Sequence, residues 1–80
     1  TTVNGEVRQQ ANLNQMIFKP YDIIAFLSSH MTLQEGDIIF TGTPSGVVLG
    51  KNESKYSWLK PGDTVVITIS GIGTLENKFL

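Results

Sequence analysis

Thr41-Gly42-Thr43-Pro44-Ser45-Gly46 is the stretch on which the reading of this chain turns. It follows an apolar run, Ile38-Ile39-Phe40, and opens a long polar segment. A short β-branched and aromatic run of this kind predicts a strand. The two glycines let the backbone turn without side-chain clash, or let a ligand approach the main chain closely. Pro44 fixes its own φ and removes one donor, and it pushes Thr43 towards extended geometry. Thr43 is therefore expected at a strand end, on a stiffened backbone, with a hydroxyl able to donate and accept. Such a group suits a carboxylate or enolate oxygen. The same residues also build an ordinary tight turn, in which Thr and Ser hydroxyls bond their own backbone. On the residues alone, both readings stand.

Working outward, length and composition set the limits. The 80 residues contain no cysteine and a single histidine, His30. A disulfide framework and thiol chemistry are excluded, as is a metal site built from several histidines. Hydrophobic residues make up 40% and charged residues 16% of the chain, which marks a globular rather than a disordered sequence. The low charge fraction suggests a surface that partly meets other chain. With a net charge of −1 and no basic run, there is no nucleic-acid footprint. No apolar segment has the length needed to span a bilayer. The start at Thr1-Thr2-Val3 has no initiator Met and no signal-peptide pattern, and is read as the middle of a longer chain.

In chain order, Asn4-Gly5 is a strong hairpin signal, with Thr1–Val3 and Glu6–Arg8 as its arms. Gln9–Gln15 is an amide-rich connector, and Met16-Ile17-Phe18 a short apolar run expected as a strand or a helix entry. Lys19-Pro20 marks a boundary, because Pro suits the first helical position. From Tyr21 to Met31 the apolar residues Ile23, Leu27 and Met31 recur four apart, with Ile24 three before Leu27, which predicts a one-faced helix. Asp22 in its first turn complements the helix dipole, and so would a charged His30 near its end. His30 is a candidate base, or else a surface residue or cap. Glu35-Gly36-Asp37 reads as a turn, and Val47–Gly50 as an apolar flap beside the Thr/Gly/Pro stretch. Lys51–Ser57 is polar and includes a weak glycosylation signal at Asn52-Glu53-Ser54. Lys60-Pro61-Gly62-Asp63 has the Pro-Gly order of a type II turn. It precedes Thr64–Ser70, where Val65, Ile67 and Ile69 share one face of a half-buried strand. Gly71-Ile72-Gly73 permits a bend before a last strand, Thr74–Leu80. The sum is α+β, mostly β, with one helix and open sheet edges that need more chain or a second copy.

The ordered set Val3-Asn4-Gly5-Glu6-Val7-Arg8-Gln9, Gln15-Met16-Ile17-Phe18, Gly36-Asp37-Ile38-Ile39-Phe40-Thr41-Gly42-Thr43-Pro44-Ser45-Gly46-Val47, Leu59-Lys60-Pro61-Gly62-Asp63 and Gly71-Ile72-Gly73-Thr74-Leu75 resembles the C-terminal part of the fumarylacetoacetate hydrolase family. The resemblance covers nearly the whole chain. It departs at Leu13, where many members carry Thr. It implies that residues 1–80 are the C-terminal part of one catalytic domain, a partial mixed β-roll or sandwich. It also implies divalent-metal-assisted chemistry on 2-oxo acids and β-diketones: C–C hydrolysis, isomerisation or decarboxylation. The implied cofactor is Mg²⁺ or Mn²⁺, held by a Glu-x-Glu pair and an Asp that lie upstream of the matched region. This chain has no Glu-x-Glu. The residue that the resemblance transfers is Thr43, which would contact the substrate's carboxylate or oxo oxygens, with Gly42 letting the backbone come close. Thr41 is the structural member. A homodimer in the cytoplasm, or alternatively the mitochondrion, and a chain inactive by itself are the corresponding expectations. The competing expectation is a non-catalytic β-rich dimerisation module, or a pseudo-enzyme lacking the metal site.

Overall fold

The structure, a computed structural model, describes residues 1–49 and 57–80. Two compact units share them: Thr1–Gln10 with Pro44–Leu80, and Ala11–Thr43.

The first unit is a four-stranded antiparallel sheet of order β2-β1-β3-β4. Its strands are β1 (Thr2–Val3), β2 (Glu6–Val7), β3 (Thr64–Ile69) and β4 (Gly73–Lys78). The β1–β2 link is the expected Asn4-Gly5 turn. Both residues have positive φ, 51° and 82°, as a type I′ hairpin requires. The link between β3 and β4 is a three-residue loop between the paired Ile69 and Gly73, closed by the Ile72 N–H on the Ile69 carbonyl at 3.1 Å. Across that pair, Ile67 faces Leu75, and Thr68 faces Thr74 with the two hydroxyl oxygens 2.9 Å apart. The alternation read from the sequence therefore sorts side chains to two faces. One carries Val65, Ile67, Ile69 and Leu75, the other Thr64, Val66, Thr68 and Glu76. Only the first half of β3, Thr64–Val66, is half-buried; the second half is exposed. Among the described residues no hydrophobic side chain is buried. The outer edge strands are β2 and the fully exposed β4.

What ties the hairpin to β3 is polar. The Asn4 main-chain N–H donates to the Thr64 carbonyl at 2.8 Å. The Asn4 side chain accepts from the Thr64 N–H at 2.9 Å and donates to Asp63 Oδ1 at 2.9 Å. Asp63 Oδ2 accepts from the Lys60 N–H at 2.9 Å, inside the turn that Pro61-Gly62 makes. Gly62 has φ 95°, the left-handed value that the third position of a type II turn demands. The Phe79 N–H and the Gly62 N–H complete the knot, on the Asp63 and Phe79 carbonyls respectively, at 2.8 Å each. Asp63 is 6% exposed, the one buried polar residue among those described.

The second unit holds a 3₁₀ turn at Leu13–Gln15 and the helix α1, Pro20–His30. Asn12 caps the 3₁₀ turn, accepting from Asn14 at 3.0 Å, while Gln15 Oε1 accepts from the Asn12 N–H at 2.7 Å. Pro20 opens α1 as expected, and Asp22 Oδ2 accepts the Lys19 N–H at 3.0 Å. That is the acidic half of a capping box. Met16–Phe18 forms no strand; it is the irregular entry to the helix, and the Lys19 ammonium donates to the Asn14 and Met16 carbonyls there. Ile23 and Leu27 on the expected apolar face are half-buried, and Ile24 and Met31 exposed. Glu35-Gly36 turns as expected.

The expected strand Ile38–Phe40 is absent: the run is irregular, with Ile38 80% and Phe40 93% exposed. A strand exists only in a ladder, and no described residue pairs with these three. Val47–Leu49 likewise forms no regular element. Gly50 of the expected flap, residues 51–56 of the polar loop and the glycosylation signal lie outside the described residues. No helix among the described residues is long and apolar enough to cross a membrane.

Two outcomes follow from the Asp63 turn. Nothing lies within 4 Å of a Cβ built on Gly62, so Gly62→Ala meets no clash and exposes the backbone strain alone. A loss of about 1–2 kcal/mol in chemical unfolding is expected. The hydrogen bond from Asn4, and then that from the Lys60 N–H, hold the Asp63 carboxyl below its ordinary 3.8. A carboxylate depressed in the folded state stabilises at pH above that ordinary value, and the gain disappears as pH falls through the depressed one. The unfolding midpoint should therefore drop on acidification below about pH 4, and Asp63→Asn should flatten that part of the profile.

Candidate substrate-binding loop

The motif Thr41–Gly46 is irregular throughout. Thr43 is thus not at the end of a regular strand, because the run feeding it has no ladder partner among the described residues. It does lie at the surface, with its side chain exposed. Gly42 has φ 92° and nothing within 4 Å of a built Cβ. Its glycine is required by backbone conformation, and the open space beside it is what an approaching ligand atom needs.

Gly46 is different. Its φ is 115°, and a Cβ there would fall on the Arg8 carbonyl oxygen and come within 2.9 Å of Gln9 Cγ. A close approach to the main chain does occur at Gly46, but it is made by the strand end after β2 and not by a ligand. One position away, Gln9 Nε2 donates to the Pro44 carbonyl at 3.1 Å. Arg8 and Gln9 are themselves held by the Thr1 carbonyl, which accepts from both their N–H groups at 2.9 and 3.2 Å. The second half of the motif is thus fastened at two points to the end of the N-terminal hairpin. Gln9 read only as part of a polar connector, and no local pattern reveals a contact across 35 positions.

A second polar group surrounds Asp63. Val3, Asn4, Glu6, Arg8, Ser57, Lys60 and Asp63 line a cavity of about 170 Å³. Arg8 Nη2 donates to the Ser57 carbonyl at 2.9 Å. Two cations and two carboxylates share the lining, so it has no net charge to select an anion. Both Asp63 oxygens are engaged by the fold. The group is a structural knot rather than a reactive centre.

His30 sits in the last turn of α1. Its Nδ1 is 2.9 Å from the Phe26 carbonyl oxygen and 2.8 Å from Ser29 Oγ, with its ring 4.6 Å from that of Phe26. This matches the capping role named as the alternative to a base, with Nδ1 turned back on its own helix. Among the described residues, no three His, Cys, Asp or Glu side chains come together as a metal ligand set. The acids fit local roles instead: Asp22 at a helix start, Asp37 and Asp63 in turns. A divalent ion therefore finds no fitting ligand set among these residues.

Comparison with known proteins bears on this geometry. The chain is 51% identical over 78 residues to the oxaloacetate tautomerase YisK of Bacillus subtilis, covering 98% of this chain and 25% of that protein. It is 47% identical over 77 residues to an uncharacterized protein of Staphylococcus saprophyticus, covering 96% and 25%. A Staphylococcus aureus protein is 48% identical over 75 residues, covering 94% and 24%. The chain spans about a quarter of the length of the curated relatives it matches. No solved structure matches it significantly. The family model described as fumarylacetoacetate (FAA) hydrolase C-terminal matches residues 1–80, its whole length. This small, mostly β chain with one helix belongs to the fumarylacetoacetate hydrolase family, in the C-terminal region of that fold.

Proposed function

We propose that this chain is the substrate-side part of an enzyme that interconverts the enol and keto forms of a 2-oxo diacid of the oxaloacetate type. The observation that carries this reading is the 51% identity with an oxaloacetate tautomerase across 98% of the chain. The exposed Thr43 beside an open Gly42 supports it from the physical side. A hydroxyl next to a glycine with positive φ can hold a carboxylate oxygen without placing a full opposite charge there. It orients the diacid so that its enolisable carbon faces the rest of the site. Hydrolysis of acylpyruvates and decarboxylation of 2-oxo diacids start from the same grip on the same anion, and tautomerisation is the reading that the similarity favours.

The complete enzyme is read as using Mg²⁺ or Mn²⁺, with ligands outside these residues. Hard carboxylate ligands suit either ion. The described residues supply no ligand set for it, so their part in the reaction is confined to binding and orientation. The proton that moves between carbon and oxygen is read as handled by a base outside the same residues; the single histidine, His30, has its Nδ1 against the Phe26 carbonyl within α1. Assembly as a homodimer belongs to the same reading.

In the complete enzyme, Thr43→Val should weaken handling of oxaloacetate by roughly 1–3 kcal/mol, because a substrate oxygen loses its donor. The unfolding midpoint should barely move, since the side chain is exposed. Steady-state kinetics that match the parent protein would remove Thr43 from the site and this reading with it.

A further inference from the structure

This inference rests on the reading of Thr43 as a substrate-holding residue. We propose that Gln9 is a positioning residue for Thr43: its amide clamps the loop that carries the substrate-binding hydroxyl, through the Pro44 carbonyl.

A group that orients a small anion has to be held to within about half an ångström. Thr43 lies in irregular chain, so no ladder supplies that precision. One support comes from the residues that follow. The Gln9 side chain holds the Pro44 carbonyl, which fixes the peptide after Pro44. The ring of Pro44 fixes φ on the other side, and the peptide that joins it to Thr43 is planar. With Thr43 restricted in turn by the proline after it, the Thr43 Cα and carbonyl follow the Pro44 frame. Beyond that frame, Thr43 keeps its own ψ, narrowed by the proline that follows, and its χ1.

The clamp has a second jaw. Gly46 seats against the Arg8 carbonyl so closely that no side chain fits. Arg8 and Gln9 are both bonded to the Thr1 carbonyl, so the jaws share one rigid base at the end of the hairpin. This gives the Arg8-Gln9 pair and the Pro44-x-Gly46 spacing one joint purpose. A single hydrogen bond at an exposed position contributes little to stability. Its value here lies in placement.

The test uses the complete enzyme with oxaloacetate as the probe and compares Gln9→Leu, Gln9→Glu, Thr43→Val and the Gln9→Leu/Thr43→Val pair. Both Gln9 variants lack the donor, and Glu keeps the size of the side chain. A rise in KM of roughly three- to tenfold is expected for each, with kcat within twofold and an unchanged thermal midpoint. In the Thr43→Val background Gln9→Leu should add nothing to KM, because one acts through the other. Additive effects on KM, or unchanged KM in the Gln9 variants beside a raised KM in Thr43→Val, would overturn the clamp and leave the functional reading intact. Loss of cooperative unfolding in Gln9→Glu would assign the bond to the fold instead and also overturn it. An unaffected Thr43→Val would remove both.

Discussion

One amide group ties the N-terminal hairpin to β3 in register. Asn4 stands in a left-handed turn position, where Asn is among the few residues tolerated, and its side chain reaches across 59 residues to Asp63 while accepting from Thr64. Donor and acceptor of one side chain thus meet an acceptor and a donor on consecutive residues of the partner. Slipping the pairing by one residue would break both bonds and turn every side chain of β3 to the opposite face. In many sheets a buried apolar face enforces register. Among the described residues the polar junction adds a register constraint of its own. Asp63 can serve because it is committed on both sides, to its own turn through Lys60 and to the hairpin through Asn4.

The molecule contains its own control for this argument. Gln34–Asp37 and Lys60–Asp63 form the same turn. Gly36 and Gly62 have φ of 92° and 95°. The Asp N–H donates to the carbonyl three residues back at 3.1 Å in both, and the Asp carboxylate accepts from that residue's N–H at 2.8 and 2.9 Å. Both turns were legible, because Gly and Asp dictate them locally. Both are followed by a β-branched run, yet only the second becomes a strand. The run after the second turn pairs with β4 along its length and with β1, and Asn4 ties Asp63 and Thr64 to the hairpin, whereas nothing described pairs with Ile38–Phe40. Turns, the helix start at Pro20 and the two-residue alternation in β3 are properties of neighbouring residues, and they could be read. A ladder is a property of distant ones.

The same division runs through the candidate site. The sequence singles out the Thr-Gly-Thr-Pro-x-Gly stretch but does not separate its two glycines. Gly42 meets a conformational demand beside open space, and Gly46 a steric one against Arg8. Which of them leaves room for a ligand is visible only once the hairpin end is seen behind the second. Gln9 was hidden for the same reason, as an amide among amides in Gln9–Gln15. Asn12 and Gln15 in that segment serve the local purpose of capping a 3₁₀ turn, while Gln9 serves a distant one.

The bare rim of β4 carries a last consequence. Six exposed residues in extended geometry have no strand on their outer side among the described residues, and such an edge is the template from which cross-β stacking grows. Glu76 and Lys78 lie two apart, on one face of this rim. In a parallel, in-register fibril each would stack on its own copy about every 4.8 Å, a ladder of like charges that resists growth. An antiparallel visitor can instead set acid beside base. Among the described residues, that charge pattern disfavours a parallel, in-register copy on this rim and is compatible with a strand of the opposite polarity.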